Sequence, residues 1–410
     1  MPHKGTNIFS QIVEHIDKKE FAKTVRKYNG ERHAKGFLCW EQFVSMFFCQ
    51  LGKAQSLREI CGGLASCMGK LSHLGLQDSP KRSTLAYANE HRPHQIYEET
   101  FYQVLLHAQS CISGKRPFRF KNKLFSMDAT TIDLCLSLFD WAKFRRTKGA
   151  VKLHLLLDHD GYLPVFAHIT DGKTHESTVA RDIIGKTFKF PAESIIVFDR
   201  GYNDYEQFSY WCQQNIWFVT RLKSNAIYDV VKENSIPKNS NILKDEIIQF
   251  SGTIASEQCD YDLRRIEVWD EENQQVLVLL TNHLEFGSTT IANIYKERWQ
   301  IEIFFKTLKQ NLKIKTFVGT SANALKIQIW TALIVVLILK ILKAQALFKW
   351  SLSNLVAMLR FNLFTYRDLT DWLNNPFQSP PFVPDDQLSF FDLGQHRGAY
   401  STLPLNTCPI

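Results

Sequence analysis

The sequence has no Cys-x2-Cys pair. Its nine cysteines stand singly at 39, 49, 61, 67, 111, 135, 212, 259 and 408. An odd, scattered set argues against a zinc ribbon or a disulfide framework and fits a reducing compartment. The opening residues Met1-Pro2-His3-Lys4-Gly5 lack the apolar stretch of a secretory signal. The longest apolar run, Ile329 to Leu339, is bracketed by Gln328 and Lys340. Eleven residues are too few to cross a bilayer, so the run reads as a buried helix and no membrane partner is expected. Internal repeats and low-complexity blocks are also lacking. With 45% hydrophobic and 22% charged residues the chain is neither disordered nor collagen-like.

At 410 residues the chain is long enough for two or three domains. Its net charge of +8 is unevenly placed. Residues 1–126 carry 19 basic and 10 acidic side chains, and residues 127–410 carry 30 and 31. A basic first third on a near-neutral body fits either a polyanion partner or a solubilising surface.

Residues 1–112 read as a helical domain. Trp40, Phe43, Val44, Phe47, Phe48 and Leu51 recur at helical spacing. Ser56 is placed to cap a short helix carrying Leu57, Ile60 and Leu64, which Gly62-Gly63 weaken. Ser83 reads as the N-cap of another helix, with Lys81 and Arg82 before it. This is the order of a helix-turn-helix module, and it marks Lys81 and Arg82 as DNA-contact candidates; any small helical bundle shows the same order. Residues 113–123, with Lys115, Arg116, Arg119, Lys121 and Lys123, read as a basic linker.

From residue 124 the period becomes that of strands: 124–132, 151–158 and, after the Asp160-Gly161 turn, 163–169. A helix over 176–185 and a buried strand over 194–199 follow. Three meandering strands, a helix and a strand give the order of a ribonuclease-H-like α/β core. A helix over 204–214 and strands at 216–222, 246–254, 263–269 and 275–281 then form a β-rich insertion at about 215–285. One long helix over 288–312 and a second over 322–348 complete a catalytic domain spanning 124–350. Residues 351–410 are a helical segment and tail, expected to be loosely ordered from 365, with Pro376, Pro380, Pro381 and Pro384.

Asp128 lies inside one apolar strand and Asp199 ends another. A carboxylate buried there needs a partner or a cation. In a ribonuclease-H-like sheet the two strands are neighbours, so both acids project to one spot, where two Mg²⁺ can drive phosphoryl transfer. A third ligand is available from the helix at 288–312. Tyr295, Arg298, Glu302 and Lys309 lie within about 60° of one another on a continuous helix, at about 100° per residue. The alternative is an ordinary amphipathic helix with a salt-bridged face.

The spacing Tyr-x2-Arg-x3-Glu-x6-Lys at Tyr295, Arg298, Glu302 and Lys309 resembles the signature of the insertion-sequence family four DDE transposases. Asp128 in Ser126-Met127-Asp128-Ala129-Thr130 matches that family's first aspartate, and Asp199 in Asp199-Arg200-Gly201-Tyr202 matches the second. The resemblance covers residues 1 to about 350. It implies that Asp128, Asp199 and Glu302 are catalytic and hold two Mg²⁺, with Mn²⁺ as a possible substitute. It implies that Arg298 and Lys309 contact DNA phosphates, that Arg200 binds DNA and that Tyr295 positions the terminal strand. It further implies double-stranded DNA as partner, a homodimer on paired element ends, a DNA-hairpin intermediate, joining of 3′ ends to target DNA, and a bacterial cytoplasmic, nucleoid-associated location.

Other candidates stand beside these. His175-Glu176 offers a supporting role near the acids or a helix-start cap. Trp217 and Trp269 in the insertion offer either a stacking surface for a flipped base or core packing. Lys143, Arg145, Arg146, Lys148 and Lys152 track a DNA backbone or solvate a hairpin. The rival functions are a non-catalytic DNA-binding protein, such as a domesticated or repressor copy, and a general nuclease. Against a plain nuclease stands the Tyr-Arg-Lys stripe, for which it has no use.

Overall fold

The computed structural model describes residues 6–67, 69–112, 117–145, 148–181 and 185–378, with the side chains of 143–145, 148 and 185 outside this set. Lys115 and Arg116 of the linker, Arg146 and the side chains of Lys143, Arg145 and Lys148 in the basic stretch, and Pro380, Pro381 and Pro384 of the tail lie outside what is described.

Six helices come first: α1 (Ile8–Val13), α2 (Lys18–Lys27), α3 (Cys39–Leu51), α4 (Leu57–Ala65), α5 (Arg82–His91) and α6 (Gln95–Cys111). The apolar stripe from Trp40 to Leu51 is α3, and Ser56 caps α4 by accepting from the Glu59 N–H. The Gly62-Gly63 pair is tolerated because a side chain at Gly63 would run into the Phe48 ring, so the missing Cβ is a packing requirement. Ser83 is not a cap. α5 begins two residues earlier at Arg82, with Lys81 in the cap position and no side-chain cap bond. Lys81, Arg82 and Ser83 are exposed, so water satisfies the free N–H groups of this turn.

The strands are β1 (Leu124–Leu134), β2 (Lys143–Arg145), β3 (Lys148–Asp158), β4 (Leu163–Asp171), β5 (Ile195–Phe198), β6 (Trp217–Arg221), β7 (Tyr228–Glu233), β8 (Ile242–Phe250), β9 (Leu263–Asp270) and β10 (Gln275–Thr281). They form one sheet in the order β2-β3-β1-β5-β6-β10-β9-β8-β7, with β4 also on β3. β1 is antiparallel to β3 and parallel to β5, and β5 is parallel to β6. The insertion therefore extends the core sheet through antiparallel β10, β9, β8 and β7. Residues 253–254 belong to a short helix and not to a strand, and β7 lies where no strand was expected.

Between and after the strands run α7 (Glu176–Val179), α8 (Gly185–Thr187), α9 (Tyr205–Gln213), α10 (Thr253–Gln258), α11 (Ser288–Glu297), α12 (Trp299–Asn311), α13 (Ala322–Gln345), α14 (Leu352–Asn362) and α15 (Leu369–Asn374). Of the helix expected over 176–185, the described residues show α-helix over Glu176–Val179, a π turn at 180–181 and helix again at Gly185, with 182–184 outside the described set. α13 is 24 residues, long and apolar enough by composition to span a membrane, but its sides are buried against α3, α5, α6 and α14. The buried-helix reading was right for a different reason than length. The tail is ordered further than expected. Leu369, Trp372 and Leu373 bury one side of α15, Asp368 caps it, and Trp372 stacks on Trp350 at 5.4 Å. The basic linker is likewise anchored at its end: Phe118 stacks on Phe120, which packs on Phe286 of the insertion.

Alternation along the central strands positions the acids. Phe125, Met127, Ile196 and Phe198 belong to the main core. Leu124, Ile195 and Val197 face the other way, into a second cluster with Ile291, Ile294 and Tyr295 of α11. With a period of two, Asp128 and Asp199 fall on the α11 side of the sheet.

Candidate active site

Met127 is paired with Phe198 in the parallel β1/β5 ladder, so Asp128 and Asp199 are the next residues across, on strands about 4.8 Å apart. Each carboxylate accepts the backbone N–H of the following residue, Ala129 and Arg200 respectively, at 2.8 Å. Asp199 thereby caps the single 3-10 turn Arg200–Tyr202.

The third group comes from α12, which packs on β1. The expected continuous helix over 288–312 is two helices that meet at Arg298. Arg298 keeps αR backbone angles but its N–H bonds to the Tyr295 carbonyl, a 3-10 link that changes the register between α11 and α12. Tyr295 and Glu302 therefore do not share one straight face. Tyr295 is buried in the second core cluster, with the Arg298 guanidinium 5.8 Å from its ring. At this junction Arg298 bonds Glu302 at 2.6 Å and stands 3.6 Å from Asp128. Its Nε is buried without a partner.

Lys309, two turns further on, donates to the Thr131 carbonyl of β1 at 2.9 Å. An open cleft of about 390 Å³ lies between the strand and the helix, lined by Asp128, Thr130, Glu302, Lys306, Lys309 and Lys315 among others. Neither Asp199 nor Glu176 lines it. Burial outweighs Arg298 and the Ala129 N–H at Asp128 and, with the Glu302 and Glu176 charges, pushes its carboxyl up to about 7.

Two features behind this site were not found in the sequence. Ser126, two residues before Asp128, hydrogen-bonds the buried His159 at 2.7 Å, and His159 Nδ1 stands 3.6 Å from Glu297. This chain ties β1 to the α11/α12 junction. Lys306 and Lys315 join the cleft as well; Lys306 was legible as i+4 from Glu302, whereas Lys315 arrives from beyond the helix end.

A transposase DDE domain profile matches residues 119–338. The chain belongs to the DDE transposase family of insertion sequence elements. The y4zB protein of Sinorhizobium fredii, named as a transposase, is 31% identical over 69% of this chain and 78% of its own length. A Geobacillus stearothermophilus protein named for insertion sequence element IS5377 is 28% identical over 56% of this chain and 59% of that one. A Synechocystis protein named for element IS4SA is 24% identical over 63% and 71%. A piggyBac transposase synaptic complex with hairpin DNA, solved by cryo-EM, aligns over 97% of this chain and 89% of that chain with a TM-score of 0.44 and 12% identity, too distant to locate the site. A profile described only as a domain of unknown function matches residues 4–77.

For a DDE transposase the natural question is whether these residues suit divalent metal. Among the described residues no three His, Cys, Asp or Glu side chains lie close enough to hold an ion as they stand. Arg298 lies between Asp128 and Glu302 and supplies positive charge there. The donor set is nonetheless hard carboxylate oxygen, the type Mg²⁺ takes. The Tyr202 hydroxyl is also buried without a partner beside the acids, and the Asp128, Glu176 and Asp199 charges all act on it. Oxygen donors of this kind suit such an ion, with Arg298 standing between two of them.

Of the remaining candidates, the Arg200 side chain is exposed beside Asp199. Lys81 and Arg82 are exposed far along the chain, where Arg82 shares a concavity with Ser56, Leu57 and Arg58. Trp217 is half-buried against His283 at 4.7 Å, and Trp269 is half-buried on β9. Lys152 does not extend a DNA track: its ammonium is turned inward to the Thr174 carbonyl and Glu176.

Proposed function

We propose that the chain is a DNA transposase that binds the terminal inverted repeats of its element, cleaves the ends and joins the 3′ ends to target DNA. The observation that carries this is the meeting of Asp128, Arg298 and Glu302, from a central strand and a following helix, beside the strand that ends in Asp199. The strand order β4-β3-β1-β5-β6, antiparallel then parallel, supports a ribonuclease-H-like core.

In this reading Asp128, Asp199 and Glu302 would hold two Mg²⁺, or Mn²⁺ in substitution. When bound, these ions activate an attacking oxygen and stabilise a leaving one. Arg298 is a fork-shaped donor with an unused Nε, so a DNA phosphate competes with Glu302 for it. Lys306, Lys309 and Lys315 supply point charges along the same cleft for the phosphates on either side of the scissile bond. Water opens one strand, the freed 3′-hydroxyl attacks the opposite strand to close a hairpin, and water reopens it. The same 3′ end then attacks target DNA. Each step is an in-line displacement at phosphorus, so one set of carboxylates serves all of them. A homodimer pairs the two ends, in a bacterial cytoplasmic setting.

The test uses the purified chain, Mg²⁺ and DNA carrying the inverted repeats that flank its coding region. Cleaved ends and joined products are expected. Tight end binding with no Mg²⁺-dependent cleavage would identify a non-catalytic binder, and cleavage indifferent to terminal sequence with no joining would identify a plain nuclease.

The basic first third is assigned to end recognition. Arg58, Lys81 and Arg82 are expected to contribute phosphate contacts, so replacing all three with Ala should lower the slope of log affinity against log salt by about 2–3. A gel-shift titration from low to moderate salt reads this directly, and an unchanged slope would remove these residues from the interface.

A further inference from the structure

We propose that Glu176 is a fourth carboxylate of the cation-binding site and that the Tyr202 hydroxyl is held there as a donor for the oxygen ligands of what binds. The proposal rests on the reading of Asp128, Asp199 and Glu302 as that site.

Glu176 opens α7, which follows β4 after a short turn. Two contacts bring its carboxylate inward. Lys152 of β3 donates to Oε1 at 3.2 Å and also to the Thr174 carbonyl, so the lysine fixes both the helix start and the side chain. Oε2 lies against Gly201, only 2.9 Å from where a Cβ on that glycine would stand. Gly201 belongs to the turn that Asp199 caps, so Glu176 touches the segment that carries the second acid. Its φ is not in the left-handed region, so glycine here makes room for a carboxylate and does not relieve the backbone.

The same carboxylate acts electrostatically on Asp128, as Glu302 does, and on Tyr202, as Asp128 and Asp199 do. The acids come from β1, the end of β5, α7 and α12, and Asp128 and Tyr202 each feel more than one of them. Lys152 and Arg298 are the cations in ion-pair contact with Asp128, Glu176 and Glu302. The independent sign of a ligand is Tyr202. Its side chain is fully buried and its hydroxyl has no hydrogen-bond partner, though it sits within reach of the field of three carboxylates. A polar group left in that state is more favourably placed once it can donate to a cation-bound water or a phosphate oxygen.

Mn²⁺ alone is the probe, with binding to the full chain followed by calorimetry and by the electron paramagnetic resonance of free Mn²⁺. Glu176→Gln is expected to weaken Mn²⁺ binding about tenfold. Gly201→Ala removes no acidic residue but displaces the Glu176 carboxylate, and is expected to weaken binding in the same direction by less. Tyr202→Phe is expected to weaken it without lowering the melting temperature. If Glu176→Gln does not fold, Glu176→Asp, which keeps the charge on a shorter stem, is expected to fold and to bind Mn²⁺ more weakly. Wild-type Mn²⁺ binding in the folded Glu176 variant, with binding lost in Asp128→Asn, would overturn the role of Glu176 and leave the three-acid site standing. Unchanged binding in Asp128→Asn as well would overturn the three-acid site and Glu176 with it.

Discussion

Asp128→Asn is expected to make the cation-free protein more stable at neutral pH while it abolishes cleavage. The physical reason is burial. The Asp128 carboxyl ionises near 3.8 in an unfolded chain and at about 7 in the folded one. Between these values the folded state holds a proton that the unfolded state has released, so stability falls as pH rises through that window. Above about pH 7 the whole penalty is present. A shift of this size corresponds to about 2–4 kcal/mol, an upper range because Arg298 relaxes toward the charge. Asparagine keeps the shape and removes the ionisation. Urea melts in the presence of a chelator should show the variant matching wild type near pH 4 and exceeding it by a growing margin up to pH 7. Added Mg²⁺ should stabilise the wild type and not the variant, since only the wild type binds it in the folded state. A variant less stable than wild type at pH 8 would mean that the 3.6 Å contact with Arg298 outweighs the desolvation.

The second large effect lies in the insertion. Arg264 of β9 and Asp245 of β8 form a two-point ion pair, with Nε on Oδ1 at 2.8 Å and the second nitrogen on Oδ2 at 2.6 Å, and both side chains are buried. The arginine also donates to the Leu284 and Phe286 carbonyls, at the point where the chain leaves β10 for α11. Against burial, which would raise it, hydrogen bonds from Arg264 and Asn234 hold the Asp245 carboxyl below its usual range. Asp245→Ala leaves a buried guanidinium without its partner, and a loss of about 3–5 kcal/mol is expected. Because Phe286 supports Phe120 and α11 carries Tyr295, the damage should reach the active site. Chemical denaturation of the variant measures it, and a loss under about 1 kcal/mol would show that solvent reaches the arginine.

How far the sequence alone reached depended on whether a feature was local. β1, the β3/β4 hairpin with its Asp160-Gly161 turn, β5 and α3 were legible because period and turn chemistry are written within a few residues. The neighbourhood of Asp128 and Asp199 followed from strand order. The break at Arg298 was not legible: no glycine or proline marks it, and the side chain there meets Asp128, 170 residues away in the chain. The same applies to Lys152, a member of a basic stretch in sequence but an inward partner of Glu176 in space. β7 was missed because Val230 and Val231 are both exposed, so neither alternation nor a continuous buried run signals it. α13 was legible as a helix, expected over 322–348 and found over Ala322–Gln345, but its apolar run was counted as eleven residues because Gln328 and Lys340 bracket it, although Gln328 is buried and bonded to the Lys313 and Thr316 carbonyls. Of the site itself, the three acids and the Tyr-Arg-Glu-Lys set could be singled out. The Ser126–His159–Glu297 link could not, since it joins three separate elements.

The account stands on the claim that carboxylates from β1, the end of β5 and α12 act as one phosphoryl-transfer site. The most direct measurement is Mg²⁺-dependent cleavage and joining of end DNA by the purified chain and by Asp128→Ala, Asp199→Ala and Glu302→Ala, each checked for folding and for end binding. Every one of the three is expected to bind the ends and to lose cleavage by at least about 10³-fold, with little further loss in the triple variant, because the groups act as a unit. Cleavage at the wild-type rate by any folded single variant would contradict the claim.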